Sequence, residues 1–192
     1  DGYTLLLATT GGMVSAPALG LPIIYDPLKD FAPIGLTTFV PYSLVAHGGF
    51  PPNNMRDFIA YAKERPGKIN FGSSGTGTPN HMGGVFLMKM TGIDMLHVPY
   101  KGAAPATNAL LAGQVDVYFP GTSAVKPLMS SGKLKLLGML ELRRYPGMPD
   151  VPTVSETVPG FTKAASWFAM FGPAALPSPI VARLNADINK AL

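Results

Sequence analysis

Apolar residues in this chain fall into short runs separated by small polar loops, and the spacing inside a run tells which element it predicts. Tyr3 to Ala8 is continuously apolar, the pattern of a strand buried on both faces. Thr9-Thr10-Gly11-Gly12 then reads as a polar loop, followed by a short segment carrying Met13, Val14 and Leu19. Pro22 and Pro27 make Leu21 to Phe31 irregular surface chain. Ala32 to Ala46 is extended but broken at Pro41, which predicts a strand passing from one packing unit to another.

From here the pattern repeats. Asn53 or Asn54 caps a helix that places Met55, Phe58, Ile59 and Ala62 on one face and ends at Pro66-Gly67. The run Lys68 to Phe71 is a strand, Gly72 to Thr78 a loop, and Asn80 to Met88 a helix. Met95 to Val98 begins the next unit, turns at Pro99 to Gly102, and leads to a helix with Pro105 in its first turn, Ala106, Ala109 and Leu110 along it, and Gly113 as its stop. Val115 to Phe119, the loop Pro120 to Ser123 and a helix over Ala124 to Ser131, closed by Gly132, make a third. Leu134 to Leu140 is a further strand. Successive strand-loop-helix units predict an α/β fold with a mostly parallel sheet flanked by helices.

Arg143 to Pro159 carries four prolines in seventeen residues and reads as a long surface connection. Trp167 to Phe171 is a second extended crossing. Ser178-Pro179 forms an N-cap pair for a last helix whose buried stripe is Val181, Leu184, Ile188 and Ala191. This order predicts two α/β units: a discontinuous one over 1–42 and 164–192, and a continuous one over 43–163. The crossings between them fall near 38–46 and 164–173.

Composition narrows the function classes. Hydrophobic residues are 47% of the 192 and the mean hydropathy is +0.24, enough for a well-filled core. Charged residues are only 14%, and the net +4 is scattered, so no basic stripe points to nucleic acid. Arg143-Arg144 is the longest basic feature and reads as a solvated turn. Without cysteine there is no disulfide, thiol nucleophile or thiolate metal site, and His47, His81 and His97 have no metal-ligand spacing. No metal or cofactor is expected. No run approaches the ~20 apolar residues of a membrane span, and no signal peptide pattern opens the chain. Direct membrane insertion is therefore not expected. Asp1-Gly2-Tyr3 leads into a strand already under way, and the last helix reaches Leu192 without a glycine cap, so both ends read as interrupted and the expectation is a piece of a longer chain.

In an open α/β sheet, ligands bind beyond the carboxyl ends of the strands. That rule selects Thr9, Thr10 and Gly11; Ser73, Ser74, Gly75, Thr76, Gly77 and Thr78; and Gly121, Thr122 and Ser123. These residues offer uncharged donors to an anion. Glycines let backbone N–H groups converge, hydroxyls add adjustable donors, and the following helix start favours negative charge. Each hydrogen bond to a charged group is worth roughly 1.5–3 kcal/mol, so three or four hold a carboxylate. The competing reading is turn chemistry that merely joins strands to helices.

Nucleotide motifs do not fit. The central loop lacks the lysine of a P-loop, and Asn80 stands where a dinucleotide fingerprint needs Gly or Ala. A serine-dependent hydrolase or transferase is the alternative, with Ser74 and His81 as the working pair and Asp116 as orienter. Against it stands a His81 that simply caps its helix or bonds the loop. His97 reads as a packed core residue. Tyr100 and Trp167 either wall a crevice or belong to the core.

Several stretches in order carry a family resemblance: Asp1 to Leu7 (DGYTLLL), Tyr25 to Ile34 (YDPLKDFAPI), Phe71 to Thr78 (FGSSGTGT), His97 to Gly102 (HVPYKG), Gly113 to Asp116 (GQVD) and Pro149 to Thr153 (PDVPT). Together they resemble the Bug/TctC family, the extracytoplasmic solute receptors of tripartite tricarboxylate transporters. The resemblance implies a periplasmic-binding-protein-like fold with two α/β lobes joined by two hinge strands. Because strands that open the family's chains precede Asp1, it also implies an incomplete first lobe. It further implies a periplasmic receptor that closes on a dicarboxylate, tricarboxylate or acidic amino acid and hands it to membrane permease subunits. On that view Ser73 to Thr78, with His81, hold the ligand carboxylate, Thr9 to Gly11 contribute from the other lobe, and Gly121 to Ser123 line the crevice. Where many relatives carry an acidic or amide residue after the strand at Val115 to Phe119, this chain has Pro120-Gly121.

Overall fold

The computed structural model describes residues 4–162 and 166–192. Its contacts group into two units, Asp1–Val40 with Ala165–Leu192, and Pro41–Ala164. The start of the second expected crossing, at 164 and 165, and Tyr3 of the first expected strand lie outside the described residues.

In the smaller unit, strand β8 (Trp167–Pro173) lies between β1 (Leu6–Thr9) and β2 (Phe31–Phe39) and pairs antiparallel with both. The expectation that β1 is buried on both faces does not hold. Leu7 is 55% exposed and Leu6 39%, because β1 is an edge strand with only Ala8 turned into packed surface. Beyond β1 the expected loop is instead a π-helical turn, Gly11–Ser15, running into α1 (Ala16–Ala18). The segment before β2 is irregular but organised: Tyr25 meets Phe31 edge-on at 5.7 Å, and the Asp26 carboxylate accepts the Leu28 N–H. Helix α7 (Ser178–Ala191) packs on β2, where Asn185 Nδ2 donates to the Ile34 carbonyl at 2.7 Å. Ser178 is not its cap. Pro177 holds that position and Ser178 already has helical backbone; the stripe expected to be buried is not, with Val181, Leu184 and Ile188 half-buried and Ala191 exposed.

The larger unit holds β3 (Ser43–His47), β4 (Ile69–Ser73), β5 (Met95–Pro99), β6 (Val117–Tyr118) and β7 (Leu134–Met139) in the order β5-β4-β6-β3-β7. Four of them point the same way, as the repeated units require. β3 runs against its neighbours β6 and β7, so the sheet is mixed instead of mostly parallel. The reason is connectivity: β3 enters from an extended segment and follows no helix, so no crossover dictates its direction.

Helices α2 (Met55–Lys63), α3 (Pro79–Thr91) and α6 (Val154–Thr157) cover one face of this sheet, with Phe58, Phe71, Leu87, Phe119 and Val154 in the core between. Helices α4 (Ala103–Leu111) and α5 (Thr122–Met129) cover the other, over Val45, Leu110, Tyr118 and Val125. Both faces are buried, which is why these strands read as unbroken apolar runs. Asn54 caps α2 by accepting the Asp57 N–H at 2.9 Å, and Gly92 ends α3 at φ +70°.

Helix α3 lies unusually near the sheet. A Cβ placed on Gly84 would sit 2.5 Å from the Phe71 ring, and one on Gly83 would sit 2.8 Å from Leu140. Replacing Gly84 with Ala should therefore cost about 1–3 kcal/mol by overpacking, read in urea unfolding, with part of the loss recovered when Phe71 is shortened to Leu. An unchanged midpoint would show that the helix can lift away freely. Ser43 presents the opposite case: its hydroxyl is fully buried and has no hydrogen-bond partner among the described residues. Ser43→Ala should be neutral or stabilising by up to about 1 kcal/mol, and a clear loss of stability would reveal a bound water or hidden acceptor.

Candidate anion-binding loop

Strand β4 ends at Ser73, where the chain turns out of the sheet and back into α3. The Ser73 side chain is fully buried. Its Oγ lies 2.6 Å from His97 Nε2, accepts the Gly75 N–H at 3.1 Å and reaches the Gly75 carbonyl at 3.2 Å. Gly75 and Gly77 have φ of +134° and +79°, conformations that residues with a Cβ rarely adopt. Thr78 Oγ1 donates to the Gly75 carbonyl at 2.6 Å, and the Gly77 N–H donates to His81 Nδ1 at 3.2 Å. Ser74 Oγ donates to Asn80 Oδ1.

Most of the loop's polar groups thus hold the loop itself. The N–H groups of Ser74 and Thr76 find no acceptor among the described residues, and Thr76 is exposed. Those two amides and the Thr76 hydroxyl are the donors that the loop leaves uncommitted among the described residues.

Asn80 ties this loop to the neighbouring strand end. It is buried, and besides accepting from Ser74 it donates through Nδ2 to the Phe119 carbonyl at 2.9 Å and to Tyr118 Oη at 3.2 Å. Burial pushes the Tyr118 hydroxyl well above its ordinary range, so it stays neutral. The loop after β5 is tied in as well, its Tyr100 N–H donating to the Ser73 carbonyl at 2.9 Å. Three residues separate β6 from α5, so Thr122 and Ser123 stand in a helical first turn and not in a free loop. Thr122 is buried with its N–H on the Pro41 carbonyl at 2.8 Å; Gly121 is half-buried and Ser123 exposed.

Three rings underlie the loop. The Phe71 and His97 centroids are 4.8 Å apart, and those of His97 and His81 are 4.2 Å apart. Burial lowers the pKa of His81, and burial together with the His81 charge lowers that of His97 to about 4. Both imidazoles are therefore neutral at pH 7. His97 is not the inert packing residue that its apolar strand suggested. The parallel register of β4 and β5 sets it opposite Phe71, one step before the loop, and that pairing is the signal that reveals it. Asn80, too, had no distinguishing mark in the local pattern.

The serine-hydrolase arrangement is not assembled. Ser74 bonds Asn80, His81 turns its Nδ1 to the Gly77 amide, and the Asp116 carboxylate accepts the Asn70 N–H at the start of the strands, with His47 3.9 Å away. Ser73 and His97 do meet, but a fully buried hydroxyl offers no approach to an electrophile. Tyr100 packs against the apolar cluster under α4.

The remaining candidates belong to the smaller unit. Thr10 is buried and its Oγ1 accepts the Trp167 N–H at 2.8 Å, so it anchors β8. The Gly12 N–H lies 3.4 Å from Thr9 Oγ1, and Tyr25 Oη donates to the Gly12 carbonyl at 2.9 Å. Gly11 opens the π-helical turn. Among the described residues no group of His, Asp and Glu side chains is arranged to hold a metal ion, and no helix is long and apolar enough to cross a membrane.

Solved structures show where this fold recurs. The chain matches a Rhodopseudomonas palustris protein with adipate at a TM-score of 0.91 and 33% identity, covering 98% of this chain and 63% of that one. It matches MatC of the same organism with bound malate at 0.90 and 35%, covering 100% and 65%. It matches the periplasmic binding protein BugD at 0.87 and 36%, covering 98% and 62%. The fold is thus that of periplasmic binding proteins. The profile of the tripartite tricarboxylate transporter family receptor, TctC, matches residues 1–192, and the chain belongs to that family. It spans 62% to 65% of the length of the three solved proteins.

His97 makes stability depend on acid in a definite direction. Its folded pKa of about 4 lies below the ordinary 6.5, so the unfolded chain binds more protons in between. The contribution is complete above about pH 6.5 and is lost as pH falls toward 4; discounted for partial exposure it amounts to about 1–2 kcal/mol. Urea unfolding at pH 7 and pH 4.5 should show a smaller loss for His97→Gln than for the native protein. Equal losses would place His97 in water.

Proposed function

We propose that this protein is a non-enzymatic extracytoplasmic receptor that captures a small organic carboxylate in the periplasm and passes it to the membrane permease subunits of a tripartite tricarboxylate-type transporter. The observation that carries the proposal is the loop from Ser73 to Thr78. It presents unpartnered N–H groups at the end of a buried strand, with no lysine, arginine or carboxylate side chain hydrogen-bonded to it among the described residues. Donors without a counter-charge grip an anion and release it again, as a delivery protein requires, whereas a buried ion pair would hold it through desolvation and charge. The adipate and malate in the two R. palustris neighbours support a dicarboxylate as ligand.

In this reading the Ser74 and Thr76 amides and the Thr76 hydroxyl meet the carboxylate, while Ser73, Gly75, Gly77, Thr78 and His81 keep the loop in shape. Gly121, Thr122 and Ser123 are the neighbouring candidates, and Thr9, Thr10 and Gly11 those of the smaller unit. Ligand capture without a chemical step is what the receptor family supports.

Calorimetric titration with malate, adipate, citrate and glutamate tests the proposal. Saturable one-to-one binding of at least one of them is expected. Gly77→Ala, which forces a side chain into backbone at φ +79°, should weaken it by about tenfold or more, the loss of one charge-assisted hydrogen bond. No heat from any of the four at millimolar concentration would refute the receptor reading.

A further inference from the structure

His81 stands in the first helical turns of α3 with its ring turned back on the loop that precedes it. A backbone N–H only donates, so the Gly77 contact requires an Nδ1 without a proton and puts the neutral ring's hydrogen on Nε2. The Ser73–His97 contact has no such requirement, since a hydroxyl donates or accepts and keeps the bond whichever tautomer or charge His97 takes. Of the two imidazoles, only His81 must stay unprotonated for the loop to keep its shape.

The surroundings reinforce that. The groups in contact with the pair are the Phe71 ring from β4, Ser73 and Gly77 of the loop, and each ring of the pair toward the other at 4.2 Å. Among the described residues no carboxylate, ammonium or guanidinium forms an ion pair with either histidine. A proton on His81 therefore gains no partner.

We propose that His81 is a positioning residue of the anion loop that works by accepting the Gly77 N–H, so that acid weakens anion binding even though it adds positive charge beside the anion. The proposal rests on the reading of the loop as an anion cradle. Two opposing effects meet here. An imidazolium near a carboxylate attracts it, but the same proton sets an Nδ1–H against the buried Gly77 N–H. Donor facing donor drives the loop open, and Gly77, at φ +79°, loses the bond that holds it. The geometry on which the attraction would act is lost first.

Two measurements on the full chain decide it. In the ligand-free protein, ¹⁵N NMR should find His81 protonated on Nε2 alone at pH 7, and the Gly77 amide proton should move upfield with the same midpoint as His81. A hydrogen on Nδ1 at pH 7, or a Gly77 amide indifferent to His81, overturns the proposal without any ligand. The second measurement is the malate Kd at pH 7 and pH 5 for the native protein and for His81→Asn, whose Oδ1 takes the place of Nδ1 but does not titrate. Malate's own protonation is common to both proteins and cancels. The rise in Kd on acidification should be larger in the native protein than in His81→Asn, while His81→Leu, which offers no acceptor, should bind weakly at both pH values. Tighter native binding in acid, or equal ratios, overturns the proposal; heatless titrations with malate and adipate alike overturn the anion-cradle reading on which it rests, and the NMR result tells the two failures apart.

Discussion

The distance between α3 and its sheet governs the rest of the larger unit. Gly83 and Gly84 let the helix backbone down onto Phe71, Phe119 and Leu140, where any side chain would hold it off. At that depth Asn80, in the helix's first turn, reaches the Phe119 carbonyl and the Tyr118 hydroxyl while accepting from Ser74. A helix displaced by one methyl group would leave three buried polar atoms short of partners, which is costlier than the overpacking itself. Close approach and hydrogen-bond satisfaction are thus one constraint, and the loop between strand and helix inherits its form from it.

That form decides which donors the loop commits to itself and which it leaves free. The loop spends its Ser73, Ser74 and Thr78 hydroxyls and its Gly75 and Gly77 amides on itself, and among the described residues this internal bonding leaves the Ser74 and Thr76 amides uncommitted. Prearranged donors lose little entropy when a ligand arrives. The imidazoles beneath contribute as acceptors and as flat surfaces stacked on Phe71, not as cations, because burial and their mutual proximity keep them neutral. The resulting site depends on geometry more than on field.

The smaller unit uses the same device in a different frame. Thr10 spends its hydroxyl on the Trp167 amide, and the Gly12 carbonyl accepts from Tyr25, so the turn after β1 is pinned from two directions. The sheet there is antiparallel about β8, with β2 stepping through two register shifts as it pairs. In both units a threonine or serine that looks available to a ligand in the sequence is occupied by the backbone beside it.

Local pattern determined a good deal. Strands β4, β5 and β7, the capped helix after Asn54, the stops at Gly67, Gly113 and Gly132, and the small-residue loop after β4 follow from apolar spacing and glycine freedom, which depend on a few neighbouring residues only. Family motifs, spread through the chain, pointed to a periplasmic-binding-protein fold, and the match over residues 1–192 agrees. What the tertiary structure alone decided involves partners far apart in sequence. The reversed direction of β3, the exposure of β1, the pairing of Ser73 with His97, 24 residues away, and the triple role of Asn80 all turn on which segments lie side by side. Residue type sets what a hydroxyl, an amide or an imidazole is able to bond. Only packing sets which partner is within reach, and hence which donors remain for a ligand.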